Sequence, residues 1–187
     1  MTTWEIVREA DLGRDDHAAL SALLRVSCSR PPAVRTSWFG SRPEVRVVAR
    51  EDGEVVAHAG VLRRFVQVTE HGAPLEVLVG NVGLLTVHPD HRGRGLGREL
   101  GDRLCKLLSG LSVPFGLVLC DPGIVGYYRS LGWHRLPEVD VRYLDFEQRD
   151  PFRVVSERCA STMVLPVRVP LSAWPTAERL ELAGSQV

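Results

Sequence analysis

The residues best suited to chemistry lie between His88 and Arg98, where the sequence reads HPDHRGRGLGR. Arg92, Gly93, Arg94, Gly95, Leu96 and Gly97 make a glycine-rich turn that carries two guanidinium groups. An apolar run rich in β-branched residues, ending at Val87, precedes it and reads as a buried strand. Leu96, Leu100, Leu104, Leu107 and Leu108 follow at helical spacing. A strand that feeds a glycine turn opening a helix builds an anion site. Glycine lets the backbone come close, and the unpaired N–H groups of the first helical turn point at the anion. Arginine suits phosphate, so the ligand read from this stretch is a pyrophosphate. The alternative is a structural strand–helix turn with surface arginines.

Spacing narrows the nucleotide. The G-x-G-x-x-G fingerprint and the G-x-x-x-x-G-K-[ST] phosphate loop are both absent. Arg92-x-x-Gly95-x-Gly97, led in by Leu85-Thr86-Val87-x-Pro89, resembles the acyl-CoA-binding segment of the GNAT superfamily of N-acyltransferases. Asp121, Tyr128, Gly132 and Trp133 are spaced as in the second signature of that superfamily, with Asp121 where Asn is more usual. The resemblance implies acetyl-CoA as acyl donor, held by Leu85, Thr86, Val87, the turn from Arg92 to Gly97, and Arg98. It also implies that Tyr128 serves the leaving thiolate as an acid; a packed tyrosine is the alternative.

Three further blocks resemble the nodulation N-acyltransferases (NodA type), which move a fatty acyl group to the free amine of a chito-oligosaccharide. They are Ser37-Trp38-x-Gly40-x-Arg42-Pro43-Glu44, the stretch from Ala57-His58 to Arg64-Phe65, and Val113-Pro114-Phe115-Gly116. Ala57-His58-Ala59 and Val164-Leu165-Pro166 also resemble the aminoglycoside 2'-N-acetyltransferases. Both relatives acylate an amine of an aminosugar. The intact glycine turn is more similar to the acetyl-CoA users. The expected reaction is therefore acetyl-CoA-dependent acetylation of a primary amine on a small aminosugar, with an aminoglycoside-type antibiotic as the first acceptor. Longer-chain acyl transfer to an amino-oligosaccharide is the first alternative, and a non-catalytic acyl-CoA-binding module the second.

An amine must lose its proton before it attacks. The glutamate that does this in the aminoglycoside enzymes falls at Gly83 here. Asp121 and His58 are the candidate bases, against a helix cap for the first and a buried structural histidine for the second. Deprotonation by solvent, with no base at all, is a third route. Trp38 and Phe39 sit where this superfamily shapes its acceptor pocket, as a sugar platform, a lid or simple packing. The histidines show no metal-ligand spacing.

As for the elements that must position these residues, 187 residues suit one domain, 1–187, with a sizeable core. Twenty-three basic and 23 acidic side chains cancel, so charge argues for neither nucleic acid nor an anionic membrane as partner. No apolar run approaches the roughly 18 residues of a membrane span, and no signal-peptide pattern opens the chain. Cys28, Cys105, Cys120 and Cys159 are scattered, which suits free thiols in a cytoplasmic protein; Cys120 as a nucleophile is the lesser reading. A first strand at Trp4–Arg8, a helix capped by Asp15 or Asp16 and ended at Arg30-Pro31-Pro32, and a hairpin turning at Asp52-Gly53 lead to the central strand. A strand near Pro114–Cys120, a short helix stopped by Gly132, two or three more strands and a short polar helix complete the chain. The fold class expected is α/β: a single GNAT domain with a mixed, mostly antiparallel twisted sheet flanked by helices, small-molecule aminosugar acceptor, and homodimerisation left open.

Overall fold

The computed structural model describes residues 1–28, 36–145 and 153–187, and its organising element is a pair of long strands. β3 (Glu54–Glu70) and β4 (Ala73–Val87) run antiparallel through a tight turn at His71 and Gly72, both at positive φ. The preceding hairpin joins β2 (Val45–Glu51) to β3 through Asp52 (φ 51°) and Gly53 (φ 88°), the left-handed pair that the twist of a two-residue hairpin requires. β1 (Thr3–Arg8) lies against the outer edge of β2. On its other edge β4 meets β5 (Phe115–Leu119), which continues to β9 (Thr162–Pro166) and the short β6 (His134–Arg135). The far end of β3 pairs with β10 (Arg179–Glu181), then β7 (Val139–Leu144) and β8 (Val154–Cys159). Only β4–β5 and β7–β10 are parallel among the described strands, so the sheet is mixed and mostly antiparallel. The β4–β5 pair needs a crossover, and α2 (Leu96–Gly110) supplies it.

Helices cover both faces. α2 buries Leu96, Leu100, Leu104, Leu107 and Leu108, the predicted stripe, against Val61, Val82 and Val118. The short α3 (Val125–Ser130) adds Tyr128 to the same layer, and Gly132 (φ 86°) stops it as expected. α1 (Arg14–Ser27) covers the opposite face with Leu20 and Leu23 on Val48 and Val55. Its N-cap is Gly13 rather than Asp15 or Asp16; Asp16 instead accepts from the Gly13 N–H at 3.0 Å. The expected stop at Arg30-Pro31-Pro32 lies outside the described residues. No helix among the described residues is long and apolar enough to cross a membrane.

One element differs from the sequence reading. The polar segment near the end is strand β10, not a helix. Leu180 and Leu182 alternate with polar residues and are both fully buried beside Val66, Val68 and Val141, so a period of two prevails over helical propensity.

Two register-matched glycine pairs let elements approach the sheet. Gly80 and Gly116 are partners on β4 and β5, and a Cβ on either would meet Leu108 of α2, at 2.3 Å and 2.9 Å. Gly60 and Gly83 are partners on β3 and β4, facing the other way; their added Cβ atoms would strike Pro43 at 2.8 Å and the Val187 backbone oxygen at 2.0 Å. Gly80→Ala should therefore overpack the α2 face and destabilise the protein by about 1–3 kcal/mol. Chemical denaturation of the folded variant checks this, and an unchanged midpoint would show that Leu108 has room to move.

Candidate active site

β4 and β5 pair over only three positions, from Val79–Phe115 to Asn81–Leu117, and then part. Asn81 is buried at the fork and its Nδ2 donates to the Leu117 carbonyl at 3.3 Å, so a side-chain amide takes over where the ladder stops. Just beyond, the β3–β4 register slips: Leu84 and Leu85 together oppose Ala59, and Leu84 adopts φ 57°. A leucine at positive φ marks a strained bulge, which bends the strand away from its neighbour.

The fork opens a cleft of about 340 Å³. Leu84, Leu85, Val118 and Leu119 make its walls apolar, and Tyr128 and Asp121 supply polar atoms from the β5 side. The Tyr128 ring is buried, with edge contacts to Tyr127 and Trp133, while its hydroxyl makes no hydrogen bond among the described residues. Burial pushes that hydroxyl well above the ordinary tyrosine range, so it stays protonated. Tyr127 is placed differently, with its hydroxyl donating to the Gly97 carbonyl at 2.7 Å and pinning α3 to α2. Asp121 is exposed at the mouth, where Oδ1 accepts from the Gly123 N–H at 2.7 Å in a helix cap; Oδ2 has no partner among the described residues. The Cys120 thiol also lines the cleft, but burial, then its neighbour Cys159, raise it to about 11, which removes the thiolate a nucleophile needs.

The glycine turn has the predicted anion-site geometry. Gly93 (φ 76°) and Gly95 (φ 85°) are left-handed, with open space beside both, and Gly95 caps α2 without any side-chain bond to the first turn. The arginines divide their work. Arg92 folds back to donate to the Val87 carbonyl at 3.2 Å and the Ser27 carbonyl at 3.3 Å, tying β4 to the end of α1. Arg94 pairs with Glu51 at 3.2 Å. The turn's cation without a partner among the described residues is Arg98, exposed in the first turn of α2. Thus backbone N–H groups and Arg98, more than the two turn arginines, are available to phosphate.

The remaining candidates fall apart in space. Phe39 lines the cleft, whereas Trp38 lines a separate groove beside α1 of about 700 Å³. The Arg42 guanidinium stands 3.9 Å from the Trp38 ring centre and covers one face, and the ring also packs against the Leu24, Leu84 and Val187 cluster, which disfavours an open sugar platform. His58 is fully buried on the α1 face and outside the cleft lining. Neither of its ring nitrogens has a hydrogen-bond partner among the described residues, and burial, then the charge of Arg46, lower its pKa to about 3. Arg46 itself is buried, held by Glu9 at 2.6 Å and the Ser37 carbonyl at 2.9 Å. Thr86 is likewise buried on that face, as the register partner of His58. Sequence reasoning missed Asn81 as the fork residue, although a lone amide within an apolar strand was a signal. It also missed Gln186 and Val187, which line the cleft from the far end of the chain.

The sequence profile of the family described as nodulation protein A (NodA) matches residues 1–187. Nodulation protein A of Sinorhizobium terangae is 30% identical over 195 residues, covering 98% of this chain and 97% of its own length. That of Rhizobium meliloti (strain 1021) is 30% identical, with the same coverage of both chains. Among solved structures, a GNAT family N-acetyltransferase from Escherichia coli in complex with CoA superposes with TM-score 0.62 at 19% identity, over 97% of this chain and 89% of that one. An acyl-CoA N-acyltransferase from Pseudomonas aeruginosa superposes with TM-score 0.60 at 18% identity, over 88% and 99%. The architecture is the GNAT fold. The aminoglycoside enzymes expected from the sequence find no support in these matches.

The burial of His58 has a measurable consequence. Its folded pKa of about 3 lies below the ordinary 6.5, so between those values the unfolded chain takes a proton that the fold refuses. Stability should fall as pH drops through that window, by up to about 1.4 kcal/mol per pH unit, and be insensitive to this group above it. His58→Leu should flatten the slope. Denaturation midpoints of both proteins at pH 7, 5 and 4 check this, and parallel slopes would contradict it.

Proposed function

This chain belongs to the nodulation protein A (NodA) family of N-acyltransferases, and from that premise we propose that it transfers an acyl group from coenzyme A to the free amine of an amino-oligosaccharide. The observation that carries the reading is the fork, an apolar cleft with an unpartnered tyrosine hydroxyl in its lining, on a strand that leads into a glycine turn shaped for an anion. A thioester donor with a pyrophosphate at one end has that outline. The family match supports an oligosaccharide acceptor over the antibiotic favoured by the sequence alone.

The proposed course uses this chain's own groups. The pyrophosphate of the donor rests on the N–H groups between Gly93 and Arg98, and the pantetheine arm lies between the parted strands. The amine nitrogen attacks the thioester carbon, the C–S bond breaks, and the amide forms as the thiolate leaves. A backbone N–H of the Gly83–Leu85 stretch, which has no strand on the β5 side, stabilises the oxyanion. The Tyr128 hydroxyl stabilises the leaving sulfur. The Oδ2 of Asp121 takes the amine proton directly or through water; His58 is too deeply buried and in the wrong layer to do so.

Free-thiol release from acetyl-CoA and decanoyl-CoA tests the reading, with chito-oligosaccharide bearing one free amine, an aminoglycoside, a polyamine and a peptide as acceptors. Release should be selective for the amino-oligosaccharide. Tyr128→Phe should lower kcat by about 10²–10⁴-fold while donor affinity holds. Release with no acceptor preference would remove the oligosaccharide, and a loss of roughly threefold or less would make Tyr128 a packing residue.

A further inference from the structure

The segment after β10 reaches the fork, where Gln186 and Val187 line the cleft. Ala183 (φ 52°) and Gly184 (φ 157°) make the turn. The Ser41 N–H donates to the Gln186 carbonyl at 2.7 Å, and the Ser41 hydroxyl to the Ser185 carbonyl at 2.8 Å. Arg64 reaches from β3 to donate to the carbonyls of Ser185, at 2.7 Å, and Leu182. Val187 is thereby buried beside Leu24 and Leu84, with its backbone oxygen 2.0 Å from where a Cβ on Gly83 would be. Only a glycine at position 83 permits this seat.

The seat has a consequence for the donor. An acyl group extended from a thioester carbonyl at the Leu84 bulge towards the point where the strands converge would meet Asn81, Val82 and Gly83 of the cleft lining. Asn81, tied to the Leu117 carbonyl, and Val187, seated on Gly83, both line that end of the cleft. With a volume near the low end for small-molecule sites, the cleft holds the arm of the donor and a short acyl group but has no extension for a long one. Among the described residues the segment is held by the hydrogen bonds of Ser41 and Arg64 and by the Leu144 N–H to Gly184 carbonyl bond at 3.0 Å, and none of residues 183–187 belongs to a strand, so it can leave with β10 still paired to β3 and β7.

We propose that residues 183–187 are the acyl-length gate of this enzyme: docked on Gly83 they confine the donor to short acyl groups, and undocked they admit long ones. The proposal rests on the reading of the cleft as an acyl-CoA site. Arg64 is a positioning residue in it, acting through the segment it holds, and Gly83 sets specificity by lacking a side chain.

Two variants undock the segment by different means. Arg64→Met removes the guanidinium bonds to Ser185 and Leu182 together with a 3.5 Å bond to the Asn81 amide oxygen, while Gly83→Ala leaves Asn81 bonded and places a methyl group where the Val187 oxygen sits. Calorimetry with acetyl-CoA and decanoyl-CoA reads affinity without any acceptor, and thiol release reads kcat/KM for the same donors. Wild type should favour acetyl-CoA, and each folded variant should shift the decanoyl-to-acetyl ratio upward by about tenfold or more. A general loss of stability would lower both donors together and leave the ratio unmoved, which overturns the gate. Equal affinity of wild type for both donors overturns it too, while leaving the proposed function standing. If wild type binds neither donor, the acyl-CoA reading fails and the gate fails with it.

Discussion

Everything at this site depends on two parallel strands that pair for three residues and then separate. A buried strand edge left unpaired exposes backbone donors and acceptors that water would otherwise satisfy, which is costly unless something replaces the ladder. Three features make the parting tolerable here. Asn81 gives its amide to the first stranded carbonyl, the Leu84 bulge bends β4 away, and α3 packs Tyr128 beside the opening. Beyond the parting the two strands line a cleft with room for a thioester arm. The same feature that threatens the sheet thus provides the site.

The glycines around the fork explain why the surrounding layers come so close. Gly80 with Gly116 admits α2 on one face, and Gly60 with Gly83 admits the Pro43 loop and the Val187 segment on the other. The blocks that resemble the nodulation enzymes cluster here. Pro43 packs over Gly60, Gly116 lies under Leu108 and Trp133, and Arg64 holds the segment that seats Val187 over Gly83.

Much of the architecture is legible in the sequence because its determinants are local. The leucine stripe of α2, the Gly93 and Gly95 turn, the Asp52-Gly53 hairpin and the Gly132 stop each declare themselves within a few residues. What stays hidden depends on distant partners. Nothing near Leu84 signals a left-handed residue, because the bulge comes from the slip against β3 and not from a glycine. β10 reads as helical until Leu180 and Leu182 meet the core made by Val66, Val68 and Val141. Arg92 and Arg94 read as phosphate ligands, yet Ser27 and Glu51, far off in the chain, claim them. Gly83 reads as a position that has lost a base, and it is where a segment a hundred residues later comes to rest.

The proposed donor complex has a CoA thioester in the fork and its pyrophosphate on the glycine turn. Amide hydrogen exchange with and without acetyl-CoA tests that placement most directly, because the donor would cover backbone groups that no strand or cap protects. The expected result is slowed exchange in peptides spanning Gly83–Val87, Gly93–Glu99 and Asp121–Tyr128, with the outer strands β1 and β8 unchanged. Protection confined to the groove beside α1, or no protection anywhere at saturating acetyl-CoA, would contradict it.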